Sequence, residues 1–307
     1  MRKWILAFRL RTLPLALASV GMGAFLAASE ETFKLEIFLL TALTAIFLQV
    51  LSNLANDYGD SVHGADHMGR TGPARAVQSG LITSKQMRSA VILFAVLSLV
   101  SGLFLLFRVF QSDFLMVIGW LVIGCMCIFA AINYTAGKKP YGYLGLGDLS
   151  VFLFFGIIGV IGSQYMHSRS FQFFHLLPAI STGLLAVAVL NVNNIRDIDS
   201  DRSAGKFSVP VRIGRPAAAR YHQFLLFGAL IAGFIFILLA NQGISPIQEP
   251  NKFLFLPFIL IPRFIAINKA VAEVPSEQLD PWLKKMAISA FLFMLLFGGG
   301  MLLGSLN

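Results

Sequence analysis

Charge is what this sequence has least of. Only 13% of its 307 residues are Asp, Glu, Lys or Arg, about half the share found in a soluble globular domain. A chain so poor in charge cannot clothe a water-facing surface, which excludes an ordinary soluble fold. Cysteine is nearly missing too: Cys125 and Cys127 stand inside one apolar run, so no disulfide framework is indicated. His63 and His67 have i, i+4 spacing but no further His or Cys nearby, and a structural zinc site needs four such ligands. No dinucleotide-binding fingerprint and no nucleophile motif occurs. The net charge of +9 is dispersed over loops rather than gathered on a soluble face, so nucleic acid is not the expected partner.

What is present is apolar. Hydrophobic residues make up 57% of the chain, mean hydropathy is +0.76, and runs of about 20 apolar residues recur along the whole length, the signature of membrane-spanning helices. The expected fold is all-α and polytopic, about nine transmembrane helices bundled around a central cavity that opens to the cytoplasmic side. The spans are predicted at 13–28, 37–56, 90–107, 114–133, 149–166, 176–193, 224–240, 253–267 and 286–303. Ahead of them, Arg2, Lys3, Arg9 and Arg11 mark a short interfacial helix before Pro14. The first apolar run has no obvious small-residue cleavage site and reads as a retained span. With the amino terminus inside, the outer segments hold only Lys34, Arg108, Arg169 and Lys252 of the chain's 24 bases. That bias supports both the orientation and the span count. No soluble domain interrupts the chain. A single domain is expected, with four-helix pseudo-repeats at 13–133 and 149–267 and a ninth helix at 286–303.

Two stretches bring chemistry to helix ends. Asn193, Asp197 and Asp201 are spaced i, i+4, i+8, one column on a continuing helix, with Arg196 and Lys206 beside them. Asn53 and Asp57 repeat the i, i+4 spacing at the end of the second span. Asp60 follows one short turn later, and Asp66 lies in the glycine-rich loop beyond. Acids at membrane depth are costly and mark function. Oxygen ligands suit magnesium, which a carboxylate or two can hold together with substrate phosphates. Arg75, at the end of Gly69-Arg-Thr-Gly-Pro-Ala-Arg75, brings a guanidinium suited to phosphate. Lys138 and Lys139, with Tyr134 and Tyr141, suggest cations and rings at the same level. Asp148 opens the fifth span, where it is also a candidate N-cap.

These residues resemble a known family. Asn53-x3-Asp57-x2-Asp60 and Asn193-x3-Asp197-x3-Asp201 on nine membrane helices are similar to the UbiA superfamily of intramembrane aromatic prenyltransferases. The flanking Gly72-Pro-Ala-Arg-Ala-Val77 and Tyr141-Gly-Tyr-Leu-Gly-Leu-Gly-Asp148 look closer to its 1,4-dihydroxy-2-naphthoate branch. The resemblance covers nearly the whole chain. It implies magnesium-dependent transfer of a polyprenyl group from its diphosphate to 1,4-dihydroxy-2-naphthoate, with loss of carbon dioxide, in menaquinone synthesis at the bacterial inner membrane. It further implies that Asn53, Asp57, Asn193, Asp197 and Asp201 hold magnesium and diphosphate, with Asp60 or Asp66 completing the first motif. Arg75, Lys138 or Lys139, Arg196 and Lys206 would stabilise the departing diphosphate. Tyr134 or Tyr141 would shield the allylic cation, and Asp148 would orient or deprotonate the naphthol. Two rivals stay open: the same superfamily with 4-hydroxybenzoate or homogentisate as acceptor, and a cation-coupled transporter.

Overall fold

The computed structural model describes residues 2–62, 75–243 and 251–304; His63, Asp66 and His67 lie outside the described residues. Among these residues the chain is all-helical, and nine helices are long and apolar enough to cross a membrane. The helices are α1 (Arg2–Phe8), α2 (Leu13–Ser29), α3 (Leu35–Val62), α4 (Ser84–Phe110), α5 (Phe114–Asn133), α6 (Gly147–Ser168), α7 (Leu176–Arg196), α8 (Ile198–Ser203), α9 (Val209–Ile213), α10 (Arg215–Asn241), α11 (Lys252–Glu273) and α12 (Asp280–Gly304).

The expected spans are all found, but their ends move. Helix α4 starts six residues before the apolar run because Thr83 and Gln86 form a reciprocal capping box, each side chain accepting from the other's backbone N–H. Helix α10 starts nine residues early, with Pro216 in its first turn, a position where the missing N–H costs nothing. Helix α3 runs on to Val62, which carries Asp57 and Asp60 as helical residues rather than loop residues. Arg263, inside the predicted 253–267 span, lies within α11, and its Nε donates to Ser289 Oγ at 2.7 Å. Helix α11 begins as 3-10 turns over Lys252–Leu260, where Pro257 removes a backbone donor.

The largest buried cluster joins α2, α6, α7, α10, α11 and α12 through residues such as Met22, Leu185, Phe236 and Phe293. A second joins α1, α3 and α4 around Leu51, Leu54 and Met87, and takes in Ala76 and Ile82 from the segment before α4. Helix α5 is the outlier: only 6% of its apolar window is buried, and Leu115, Ile118 and Phe129 point outward. In water that face would be untenable; against lipid it costs nothing. Between the two clusters runs a cavity of about 400 Å³. The middle of α6, Phe152–Ile161, is π-helical and places Phe154, Phe155 and Ile158 along it, as π segments often do at functional sites.

Candidate active site

The cavity has a polar end and an apolar end. Asn53, Asn56 and Asn193 line it where α3 and α7 finish, whereas Trp120 and Met166 line it elsewhere. Thr41 and Asn53 both line it from α3, and twelve helical residues separate them by about 18 Å. A long apolar slot thus begins at a polar mouth.

The first motif is assembled on one face of α3, where Asn53, Asp57 and Asp60 are buried. Asn53 Nδ2 donates to the Phe8 carbonyl and to Thr12 Oγ1, both at 2.9 Å. Asp57 Oδ2 accepts the Ala76 N–H at 3.1 Å. Its Oδ1 is buried and receives no hydrogen bond from any described residue. Asp60 takes the Tyr143 hydroxyl at 2.6 Å and is ion-paired with Arg75. Asp60 is therefore part of the first motif's network. Arg75 is held in place because its neighbours Ala76 and Ile82 are buried beside α3 and its Nη1 donates to the Asn56 carbonyl at 3.1 Å. Burial lowers the Arg75 pKa from its ordinary value, opposed by the fields of Asp57, Asp197 and Asp201. Carboxylates of both motifs thus act on one guanidinium.

Helix α3 comes this close to the segment after α5 only because residue 59 is glycine. A methyl there would lie 2.5 Å from the Thr135 carbonyl oxygen and 2.6 Å from the Ala136 nitrogen. Thr135 Oγ1 then bonds the Ala55 carbonyl at 3.1 Å and Asn56 Oδ1 at 2.9 Å.

The second motif departs from a single uninterrupted column. Helix α7 ends at Arg196, Asp197 is the junction (φ −95°, ψ 13°), and α8 resumes at Ile198. The i, i+4 order survives the break, since Asp197 N–H bonds the Asn193 carbonyl and Asp201 N–H the Asp197 carbonyl. Arg196 grips Asp197 with two 2.8 Å bonds, Nε to Oδ1 and Nη2 to Oδ2. It also reaches Asn193 Oδ1 at 2.9 Å and Asp280 Oδ1 at 2.6 Å. Arg196 is thus turned onto protein oxygens rather than standing ready for phosphate. Lys206 Nζ lies 3.3 Å from Asp201 Oδ1.

The other expected residues separate. Tyr134 and Tyr141 both line the cavity, their rings edge-to-face at 5.4 Å. Burial raises the pKa of each, so both stay neutral phenols. Gly147 makes room for Tyr134, whose hydroxyl would lie 2.6 Å from a methyl there. Asp148 is no N-cap: Leu146 holds that position. Asp148 Oδ2 accepts the Tyr221 hydroxyl at 2.9 Å and is not among the lining residues. Lys138 and Lys139 are exposed and also do not line the cavity.

Asp280 and Gln49 were not singled out from sequence, and Tyr143 stood there only within the 141–148 motif, with no carboxylate partner assigned. Tyr143 contacts Asp60; Asp280, at the start of α12, bridges Arg196 and Arg11; Gln49 lies one turn before Asn53. Of Asp280 and Gln49, only Gln49 carried a signal, its i−4 position from the motif.

Among the described residues, no three acidic, imidazole or thiol groups gather closely enough to hold a cation alone. The buried, unbonded Asp57 Oδ1 and the hard-oxygen donor set nevertheless fit magnesium bound jointly by protein and phosphate.

The profile of the UbiA prenyltransferase family matches residues 16–248. A 1,4-dihydroxy-2-naphthoate octaprenyltransferase of Escherichia coli (strain K12) is 42% identical over 303 residues, covering 98% of this chain and 95% of that protein. Another from Haemophilus influenzae is 41% identical over 308 residues, covering 99% and 97%. Among solved structures, a UbiA homolog from Archaeoglobus fulgidus bound to DMAPP and Mg2+ superposes with a TM-score of 0.62 at 18% identity, covering 97% of this chain and 99% of that one; this likeness concerns the fold. With a family match across most of its length and two nearly full-length relatives, the chain belongs to the UbiA prenyltransferase family.

Proposed function

We propose that this chain is an integral-membrane prenyltransferase that moves an octaprenyl-class group from its diphosphate to 1,4-dihydroxy-2-naphthoate. Nearly full-length identity to octaprenyltransferases of that name carries the acceptor assignment. The geometry supports the reaction type, with an apolar slot for a hydrocarbon tail whose lining reaches Asn53 and Asn193, the leading residues of the two acidic motifs.

Asn53, Asp57, Asp60, Asn193, Asp197 and Asp201 are the residues that would hold magnesium. Bound magnesium supplies neutralisation of the charge that gathers on the leaving diphosphate. Arg75 and Lys206, both buried, add fixed positive charge where that charge develops. Arg196 orients Asp197 through its paired hydrogen bonds. Tyr134 and Tyr141 present ring surfaces to the cavity, and neutral aromatic faces stabilise an allylic cation while excluding water. The ring carbon bearing the carboxylate forms the new bond as the carbon–oxygen bond to diphosphate breaks. Carbon dioxide then leaves, its bonding electrons restoring the aromatic ring, and the product is the prenylated naphthalenediol. The basic loops at the motif end support a reading in which that end and the amino terminus face the cytoplasmic side of a bacterial membrane.

The experiment is product formation by the purified chain in detergent with magnesium and octaprenyl diphosphate. Parallel reactions receive 1,4-dihydroxy-2-naphthoate, 4-hydroxybenzoate or homogentisate. Prenylation of the naphthoate with release of carbon dioxide supports the reading. Turnover with another acceptor alone overturns the acceptor assignment, and no transfer to any acceptor overturns the enzyme.

A further inference from the structure

Both substrates must be held in one cavity, and Gln49 offers a way to tell one of them from its analogues. Gln49 lines the cavity and is only 8% exposed. Its amide orientation is dictated by its neighbours. Asn53 must turn Nδ2 towards the Phe8 carbonyl, which can only accept, so Asn53 Oδ1 faces the other way. Thr12 Oγ1 gives its proton to the Arg9 carbonyl at 2.9 Å, which leaves that oxygen an acceptor. Gln49 lies 3.2 Å from Thr12 Oγ1 and 3.4 Å from Asn53 Oδ1. Both are acceptors, so the group facing them is Nε2.

Gln49 Oε1 is then left over. It is buried and receives no hydrogen bond from any described residue, an arrangement that is costly unless a ligand or water supplies the donor. The prenyl diphosphate cannot supply it: the tail is hydrocarbon and the phosphate oxygens accept. The aromatic acceptor can, because its hydroxyls donate. Arg9, Arg11 and Lys284 line the same cavity, which brings cations to the space that a hydroxyaryl carboxylate would occupy.

We propose that Gln49 Oε1 receives a hydroxyl of the aromatic acceptor and selects rings that carry one. The proposal rests on the prenyl-transfer reading above. Gln49 binds and orients; an amide oxygen is too weak a base to remove the proton.

The test uses the full-length chain in detergent with magnesium, comparing wild type, Gln49→Leu and Gln49→Met. Inhibition of prenyl transfer to 1,4-dihydroxy-2-naphthoate is measured with 4-hydroxy-2-naphthoate and with 2-naphthoate, which differ by one hydroxyl that is too far from the carboxylate to bond it internally. Wild type should bind the hydroxylated inhibitor about tenfold more tightly, the factor one neutral hydrogen bond supplies. In both variants the preference should fall to within about twofold, while KM for the prenyl diphosphate and the magnesium requirement stay at wild-type values. A wild type that does not distinguish the inhibitors overturns the proposal whether or not the variants fold. So does a preference that persists in Gln49→Met, which would leave Oε1 to water. A variant that changes magnesium or donor dependence with the preference intact assigns Gln49 to the support of Asn53 and also overturns it. Failure of wild type to prenylate any acceptor is a separate result, which would sink the enzyme reading itself.

Discussion

Gly59→Ala sets two physical effects against each other. By helix propensity alone the substitution should stabilise α3, since alanine in a helix interior is favoured over glycine by about 1 kcal/mol. The packing reverses the sign. The added methyl would lie 2.5 Å from the Thr135 carbonyl oxygen and 2.6 Å from the Ala136 nitrogen, whereas favourable contacts begin near ~3.5 Å. The shortfall is roughly 1 Å, and both obstacles are backbone atoms that no rotamer change can move. Overpacking costs about 1–3 kcal/mol. With backbone on both sides the upper part of that range applies, so the net effect after the propensity gain is destabilisation of about 1–2 kcal/mol. Activity should suffer more, because Asp57 and Asp60 flank the glycine and move with α3. Misplacing catalytic groups by about 1 Å costs on the order of 100-fold. The assay pairs thermal unfolding in detergent with kcat/KM. Gly119→Ala on α5, outside the cavity lining, is the control, its methyl meeting no atom within 4 Å. Gly59→Ala should melt earlier and lose about 100-fold in kcat/KM, while the control matches wild type in activity. A Gly59→Ala protein that is fully active and more stable would refute the packing argument.

Asp197→Asn should lower kcat/KM by at least about 100-fold, and EDTA should abolish turnover in wild type until magnesium returns; steady-state rates across a magnesium titration check both. Tyr143→Phe removes a 2.6 Å bond to the Asp60 carboxylate, so a loss of about 10-fold in kcat/KM is expected; an unchanged rate would detach Tyr143 from the site. Asp280 ties Arg11 to Arg196, but its side chain is 41% exposed. Asp280→Ala should therefore cost about 1 kcal/mol rather than the full price of a buried pair. A double-mutant cycle with Arg11→Ala should show coupling, and additive effects would contradict the bridge.

The spans were legible because long apolar windows have one economical explanation. Their ends were not, since helices continue past the bilayer into residues that hydropathy ignores. Lys85 and Arg88 hide the start of α4, although the Thr83 and Gln86 spacing announces it. The acidic motifs stood out because carboxylates at the ends of apolar runs are expensive. What those acids touch was hidden: Asp60 takes the hydroxyl of Tyr143 from 83 residues away, and no local pattern encodes that contact. Lys138 and Lys139 had the right charge for phosphate, but residue type does not reveal direction, and both point into the open. The break at Asp197 was equally invisible, because the i, i+4 spacing continues through it.

The central claim is that two acidic helix ends hold one diphosphate through metal ions. The most direct measurement is an experimental structure of the chain with Mn2+ and the unreactive analogue geranyl thiodiphosphate, with manganese located by anomalous scattering. The account predicts manganese between the diphosphate and both motifs, at Asp57 or Asp60 on α3 and at Asp197 or Asp201 beyond α7, with the prenyl tail in the apolar slot. Manganese on one motif alone, or a diphosphate bound away from both, would contradict it.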